Sequence, residues 1–271
     1  MESRKKMTEI KKTLAILEAR WPEVTFIIGL NILSLFANKL HLIVHSKATP
    51  AHAFISLGCF LVVITIIIIT MLLIIGFQRT VYLEGQKRQS PIVLLRVGKH
   101  FFWRMVKFGL IYIPIFFILA WLTFLAIKQF TSIETGFLET AKGAPLVYQL
   151  CFTTATLILI KPLLFIPALI IVLDCRVFES FKFFKQFKLS DAKELVTLFC
   201  VQAASTLLWI FLPKLGEAKT ILQYTLGIIP SIIPHFIGLI VAVTAVRFVA
   251  SLDLVYDEQI NPSDSQRFTE E

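Results

Sequence analysis

The residue with the most unusual chemistry for its position is Lys161, which lies near the middle of a long apolar stretch. A lysine at the centre of a membrane-spanning helix costs about 2.5–3.5 kcal/mol on insertion scales. Pro162 follows it and Pro167 lies one turn later, and each proline removes an N–H that a helix carbonyl would accept. The pattern indicates a polar site inside a bilayer. Either Lys161 contacts an anion or headgroup on a substrate path, or it snorkels to an interface or bonds to a kinked backbone.

A second polar residue, His235, stands in a similar setting. Pro230 and Pro234 precede it in the run IIPSIIPHF, so two proline-interrupted stretches each carry one polar side chain. Such helices suit the central cavity of a transporter and equally suit a rigid kinked bundle. Lys161 and His235 are therefore the candidate intramembrane polar site. Three further polar residues are expected to hydrogen-bond between helices: Asn31, Asn38 and Gln202.

Two segments mix aromatic and basic residues. In FESFKFFKQFK, Phe178–Lys188, a helical period places most of the rings on one arc and most of the lysines opposite. LLRVGKHFFWRMVKF, residues 94–108, has the same character and follows Ser90-Pro91, a helix-start signal. The pattern is typical of amphipathic helices in the membrane interface, although the rings would equally pack on neighbouring spans while the lysines set the topology. The candidate anionic-lipid contacts are Lys182, Lys185, Lys188, Arg96, Lys99 and Arg104.

No group of residues in the sequence indicates catalysis. No Asp or Glu lies deep within an apolar stretch, which disfavours a proton- or sodium-coupled transporter. No Walker A loop occurs, and no paired carboxylates, Ser–His arrangement or HExxH motif lies at membrane depth. The four scattered cysteines are interpreted as small apolar fillers: Cys59, Cys151, Cys175 and Cys200. We therefore predict a non-enzymatic protein without a cofactor or metal.

The elements that must position these residues are membrane-spanning helices. Hydrophobic residues make up 56% of the chain, charged residues make up only 17%, and the mean hydropathy is +0.78, values outside the range of soluble domains. The sequence predicts an all-α, polytopic transmembrane helical bundle with six spans and cytoplasmic interfacial amphipathic helices. A span needs about 20 apolar residues. Six stretches meet this requirement: Val24–Val44, Ala53–Phe77, Phe108–Ile127, Tyr148–Leu173, Leu195–Leu212 and Ile221–Val249.

Basic residues alternate between the connections. The segment before the first span, the second connection and the fourth connection together hold eighteen Lys and Arg, and the three alternate connections hold six. Because basic residues are retained in the cytoplasm, both termini are expected there. The net charge of +9 then belongs to one membrane face, where it attracts anionic lipids, and it indicates no nucleic-acid partner.

Three regions follow from this pattern. Residues 1–20 form an amphipathic cytoplasmic segment that we expect to lie on the membrane surface. Residues 21–250 form the six-span domain. Residues 251–271 form an acidic cytoplasmic tail.

The run GFQRTVYLEGQKRQSPIVLLRVGKHFFWRMVKF after the second span, with FIPALIIVLDCRVFESFKFFKQFKLSDAKELVTLF in and after the fourth, resembles the six-span YciC-like group of inner-membrane proteins. It is similar also to the membrane domain of some bacterial glycerophosphoryl diester phosphodiesterases. The resemblance covers about residues 76–211 and departs at 188–191, where the group has a glycine. It implies a bacterial inner-membrane protein concerned with lipids or a partner, and no catalytic residues. The matching residues are Gly76, Phe77, Arg79, Pro167, Ala168 and Ser180.

Two functions follow as expectations. The first is a non-enzymatic integral membrane protein that organises anionic lipids, or a protein partner or second copy of the chain, at the cytoplasmic face. The alternative is a transporter or permease subunit with a cavity between the fourth and sixth spans. Replacing Lys182, Lys185 and Lys188 by Gln matters more under the first, and replacing Lys161 matters more under the second.

Overall fold

The computed structural model of the protein describes residues 9–45, 50–131, 143–184, 192–208 and 221–252. Within these ranges the regular structure is entirely helical, which confirms the all-α prediction. Each of the six predicted spans coincides, over its described residues, with a helix or with a consecutive pair of helices, and residues 209–212 of the fifth lie outside the described residues. The helices are α1 (Glu9–Ala19), α2 (Trp21–His45), α3 (Pro50–Glu84), α4 (Pro91–Thr131), α5 (Gly143–Ile158), α6 (Ile160–Leu173), α7 (Val177–Phe184), α8 (Lys193–Leu208) and α9 (Ile221–Ala250).

Four of these helices are long and apolar enough to cross a membrane. The qualifying windows are Trp21–Asn38 in α2, Ile55–Glu84 in α3, Pro91–Gln129 in α4 and Ile232–Ala250 in α9. The bent pair α5 and α6 supplies a fifth span if it is counted as one. The described part of α8 has 16 residues and does not meet the length criterion. The described residues thus contain four or five candidate spans, and the count of six stays a prediction.

The bend between α5 and α6 has a local cause. The two helices meet at Leu159 with an angle of 58°. Pro162 has no N–H for the carbonyl four residues earlier, Ile158, and its ring crowds that carbonyl, so the helix breaks there. Beyond the break, α6 is buried along most of its length, and Phe165, Ile166, and residues 169–171 have no exposed surface. This short helix is the centre of the main hydrophobic core.

Helices α3 and α4 form an antiparallel hairpin that depends on two glycines. A Cβ atom on Gly76 would lie 1.9 Å from the carbonyl oxygen of Leu94, and one on Gly98 would lie 1.9 Å from that of Leu72. The two backbones therefore touch, as in other small-residue contacts between membrane helices. The turn that joins them contains Gly85, whose φ is +60°, a conformation that glycine adopts without strain.

The structure differs from the predicted interfacial helices in two places. Residues 94–108 are not a separate helix, because no helix breaker lies between Pro91 and Pro114 and α4 continues for 41 residues. Residues 1–8 lie outside the described residues, and residues 9–20 are not solely a surface segment. In α1, Ile16 and Leu17 are buried, Thr13 hydrogen-bonds Thr244 of α9 at 3.2 Å, and the helix is docked on the bundle.

Candidate functional site

Most of the charged residues of the described chain gather at one end of the bundle, which we call the basic end. It comprises α1, the first turn of α2, the last turns of α3, the first half of α4, Asp174 after α6, and the last turns of α9. Three polar contacts tie these parts together: Arg20 to Thr80 at 2.9 Å, the backbone N–H of Gln89 to Glu23 at 2.5 Å, and Arg247 to Glu9 at 3.3 Å. The described parts of two of the basic segments, the one before the first span and the second connection, therefore lie together, and their location on one membrane face stays a prediction.

The most buried of these contacts surrounds Arg20, whose side chain has no exposed surface. It pairs with Glu23 one turn later and lies 4.5 Å from the ring centroid of Phe77. Because Glu23 also accepts the Gln89 N–H, this pair fixes the junction of α1 and α2 against the turn between α3 and α4. A buried charge needs such partners, so we assign Arg20 a structural role.

A second polar cluster closes the carboxyl end of α6. Asp174 has a left-handed backbone, with a φ of 52°, and its carboxylate pairs with Arg104 and lies 3.1 Å from Nε2 of His100. Arg79 donates to the carbonyls of Ile171 and Val172 at 2.5 and 3.0 Å. Cations at a helix carboxyl end stabilise its unpaired carbonyls. The cluster therefore fixes α3 and α4 to the central helix.

The electrostatics of Asp174 reflect this pairing. Burial alone would raise the pKa of the carboxyl, but the hydrogen bond to His100 and the charge of Arg104 outweigh it and hold the pKa below its usual value. Arg104 thus has a partner inside the protein. Its side chain turns toward the end of α6 and is 26% exposed, and its predicted contact with anionic lipid stays a prediction.

The opposite face of α4 is exposed. Its residues recur three or four apart, so they share one side of the helix, and we call them the outer stripe. Ile92 and Trp103 are exposed by 70% and 68%, which marks them as facing out of the bundle. Two of its members, both basic and exposed, are among the predicted anionic-lipid contacts, and that contact stays a prediction. Its residues are Ile92, Arg96, Lys99, Trp103, Lys107 and Leu110.

Trp103 and Lys107 were missed as site residues by the sequence reasoning. The signal was present in the spacing, since a period of 3.6 residues places both in line with Arg96 and about 60° or more from Arg104. Both residues lie within the helix predicted over residues 94–108, whose basic residues were not separated by helix face.

The aromatic segment in α7 packs inward. Val177 is buried, Phe181 stacks on Tyr112 of α4 with 6.4 Å between ring centroids, and Phe183 lies against the main core. This is the alternative in which the rings pack on neighbouring spans. Lys182 is exposed, and Phe178, four residues before it, is 75% exposed. The other two predicted contacts, Lys185 and Lys188, lie outside the described residues.

Lys161 lies in the first turn of α6 and contacts an aromatic ring. Its Nζ is 4.5 Å from the ring centroid of Phe184, the last residue of α7. An ammonium group over a ring face is stabilised by about 0.5–2 kcal/mol, depending on how far it is desolvated. The contact offsets part of the cost of a lysine in this position, and it supports a structural role for Lys161.

His235 lines a cavity of about 420 Å³ among α2, α3, α8 and α9, which we call the four-helix cavity. Asn31 of α2 and Gln202 of α8 line it too, although both were expected only to hydrogen-bond between helices. Lys161 is not among the lining residues. The structure therefore does not unite Lys161 and His235 in one site, and this cavity involves helices other than the predicted fourth span.

The cysteines show no arrangement for chemistry. All four are free, and the described residues contain no group of three His, Cys, Asp or Glu side chains that would hold a metal ion. Burial, with a smaller contribution from Glu179, raises the pKa of the Cys175 thiol to about 12. The thiol is therefore protonated at neutral pH and unreactive.

The residues behind the family resemblance also have structural contacts. Gly76 permits the α3–α4 approach, Phe77 lies beneath Arg20, and Arg79 closes α6. Ser180 is fully buried and donates to the carbonyl of Val177 at 2.5 Å. These contacts explain the residue types by packing and hydrogen bonding.

The fold and these contacts define a class of protein: in the part of the chain that the structure describes, it is all-helical, with four or five helices that are able to span a membrane, held together at one end by ion pairs. No known family model, curated protein or solved structure matches the chain. The resemblance to the YciC-like group stays a prediction.

Proposed function

We propose that this protein is a non-enzymatic integral membrane protein that organises anionic lipids along the outer stripe of α4. The observation that carries the proposal is the exposed line of Arg96, Lys99 and Lys107 with Trp103 among them. Tryptophan prefers the headgroup level of a bilayer, and lysine or arginine beside it attracts phosphate groups.

Basic side chains that pair within the protein contribute less to binding lipid than those that do not. Arg20, Arg79, Arg104 and Arg247 make contacts inside the basic end. The three stripe cations span about 16 Å of helix, which is enough to contact more than one headgroup. At about 1 kcal/mol per basic residue near an anionic surface, together they contribute about 3 kcal/mol. That corresponds to a preference of about a hundredfold for anionic over neutral lipid.

The proposal includes the number of spans, the location of the termini and the membrane in which the protein lies. We propose six spans, with α8 as the core of the fifth, both termini in the cytoplasm and, as the family resemblance implies, a bacterial inner membrane. The gathering of the basic segments at one end of the bundle supports this orientation, because positively charged connections remain on the cytoplasmic side. Lys182 on α7, exposed beside Phe178, extends the lipid-contacting surface.

A transporter remains the second candidate, favoured by one observation, the polar side chains that line the four-helix cavity. It would use helices α2, α3, α8 and α9 rather than the fourth and sixth spans alone. Lys161 contacts Phe184 and is not among the residues that line this cavity, which favours the first proposal over the transporter.

Native mass spectrometry of the protein released gently from its membrane tests the proposal. We expect the wild-type protein to retain phosphatidylglycerol, and the R96Q/K99Q/K107Q variant to lose at least nine-tenths of it, given a difference of about a hundredfold in affinity. The matched control R96K/K99R/K107R keeps all three charges and should retain the lipid.

Equal retention by both triple variants would contradict a role for these charges. A co-purifying acidic protein lost with the same charges would instead assign the stripe to a protein partner. A small molecule lost in Lys161→Met, with lipid unchanged, would favour the transporter.

A further inference from the structure

The four-helix cavity combines apolar walls with three polar side chains. Its walls include Ile27, Ile74 and Leu239, and its polar groups are Asn31, Gln202 and His235. Concave, mostly apolar sites with a few converging polar groups are the usual form of small-molecule sites, at about 300–1,000 Å³. At about 420 Å³ the cavity is within that range.

The polar groups lie at the same depth, far from the basic end. Counting 1.5 Å per residue, Asn31 is about 15 Å from Trp21 along α2, and His235 is about 18 Å from Arg247 along α9. Gln202 is about 14 Å from Lys193 along α8. Since a bilayer has a hydrocarbon layer of about 30 Å, the three side chains lie near its middle.

We propose that the four-helix cavity binds an uncharged membrane lipid by its glycerol ester or hydroxyl groups, with Asn31, Gln202 and His235 as hydrogen-bonding partners. The amide side chains supply both donors and acceptors, and the imidazole supplies either according to its tautomer. This inference does not rest on the proposed function of the outer stripe.

The composition of the cavity sets the charge of its ligand. Among the described residues that line it, none is Asp, Glu, Lys or Arg. A phosphate group placed there would be a buried charge without a counter-ion, which is strongly unfavourable. Hydroxyl and ester groups need only the hydrogen bonds that amides and imidazole provide.

The size and position of the cavity indicate how a lipid would enter. About 420 Å³ corresponds to the space of roughly fourteen water molecules, enough for a glycerol with its ester groups but not for two acyl chains. His235 is exposed, so the cavity reaches the outer surface of the bundle at membrane depth. The acyl chains would then remain in the bilayer.

Photolabelling of the full-length protein in bilayers tests the proposal. The probe is a diacylglycerol with a diazirine beside its glycerol, and the contrast is a phosphatidylglycerol with the same diazirine. We expect diacylglycerol to label peptides that contain residues 27–31 and 234–242, and untagged diacylglycerol to compete. The phosphatidylglycerol probe should label these peptides at least tenfold less.

Two variants and one matched control sharpen the test. Ala242→Phe places a ring in the cavity and should reduce labelling at least tenfold. Asn31→Leu removes one set of hydrogen bonds at similar volume and should reduce it about fivefold. The control, Asn38→Leu, makes the same change at an exposed position two turns further along α2 and should leave labelling unchanged.

A thermal unfolding transition within a few degrees of the wild type establishes that each variant is folded. Equal labelling of the cavity peptides by both probes, or labelling insensitive to Ala242→Phe and Asn31→Leu in folded protein, would overturn the proposal. Should Ala242→Phe fail to fold, the comparison of Asn31→Leu with Asn38→Leu decides alone.

Discussion

The two faces of the first half of α4 both carry basic and aromatic residues. On one face these residues pack inside the protein, and on the other they are exposed. On the inner face, Phe101 is buried and Arg104 pairs with Asp174. On the outer face, Trp103 is exposed, with Lys99 one turn before it and Lys107 one turn after it. Basic and aromatic residues thus stabilise the fold on the inner face of α4, whereas those on the outer face are accessible to the membrane.

The difference shows that basic charge cannot be counted as one property of a membrane face. A cation that caps a helix or neutralises a buried carboxylate already has a partner inside the protein. Removing this cation leaves that partner unpaired. A cation on an exposed stripe costs the fold little when it is removed, but it changes what the surface attracts. Stability and lipid preference should therefore respond to different arginines of one helix.

The largest loss of stability should come from substituting the glycines at which α3 and α4 touch. Gly76→Ala or Gly98→Ala places a Cβ 1.9 Å from a carbonyl oxygen of the facing helix, so the helices must separate. We expect a loss of about 3 kcal/mol or more, measured by thermal or denaturant unfolding in detergent.

Gly109→Ala is the matched control on the same helix. A Cβ there meets only the side chain of Ile113 at 3.8 Å, so the change should stabilise the protein by about 0.5–1 kcal/mol through helix propensity. Equal behaviour of Gly98→Ala and Gly109→Ala would contradict the close approach of α3 and α4.

The next largest loss of stability distinguishes the inner face of α4 from its outer face. Arg104→Gln should lower the free energy of unfolding by about 1–3 kcal/mol because it leaves Asp174 and the end of α6 without this donor. Arg96→Gln, the same change two turns earlier on the outer face, should lie within about 0.5 kcal/mol of the wild type. Unfolding measurements that give the two variants the same stability would remove the distinction between the faces.

The pH dependence of stability should trace to Asp174. Its folded pKa is below its usual value, so its stabilising contribution is present above the unfolded pKa, near 3.8. That contribution is lost as the pH falls below about 4. We expect Asp174→Asn to be less stable than the wild type from pH 8 to pH 5, and the difference to shrink in more acidic buffer.

Thermal unfolding of both proteins across this range is the measurement. Because Asp174 is 37% exposed, the effect should be modest, about 1 kcal/mol. A difference that grows on acidification would have the wrong sign for this ion pair.

The smallest effect concerns the inward contact of Lys161. Lys161→Met and Phe184→Leu should each remove the same cation–π contact, so their effects should not add. A double-mutant cycle on unfolding free energies should give a coupling of about 0.5–1 kcal/mol. Additive effects would show that the contact contributes nothing.

Much of the helical framework could be predicted from the sequence. Long apolar runs placed a helix at each of the six predicted spans, and Pro162 marked the break before α6. The sequence could not show that residues 91–131 form one helix, since a basic, aromatic stretch before an apolar one is equally compatible with two. The contact of Arg104 with Asp174 depends on a residue seventy positions further along the chain.

The site could be predicted only in part. An apolar arc on α7 fits a lipid surface as well as a neighbouring helix, and its packing on Tyr112 depends on tertiary structure. The partner of Lys161, Phe184, lies on a different helix. Asn31, Gln202 and His235 come from three helices far apart in the chain, so no pattern within one stretch of sequence predicts that they line the same cavity.

The central claim is that the outer stripe selects anionic lipid, and quenching of Trp103 tests it most directly. The protein would carry Trp21→Phe, Trp121→Phe and Trp209→Phe, so that Trp103 alone reports. It would be reconstituted with brominated phosphatidylglycerol or brominated phosphatidylcholine in equal proportions. We predict stronger quenching by phosphatidylglycerol, its loss in R96Q/K99Q/K107Q and its retention in R96K/K99R/K107R. Equal quenching by the two lipids in the protein with all its charges would contradict the account.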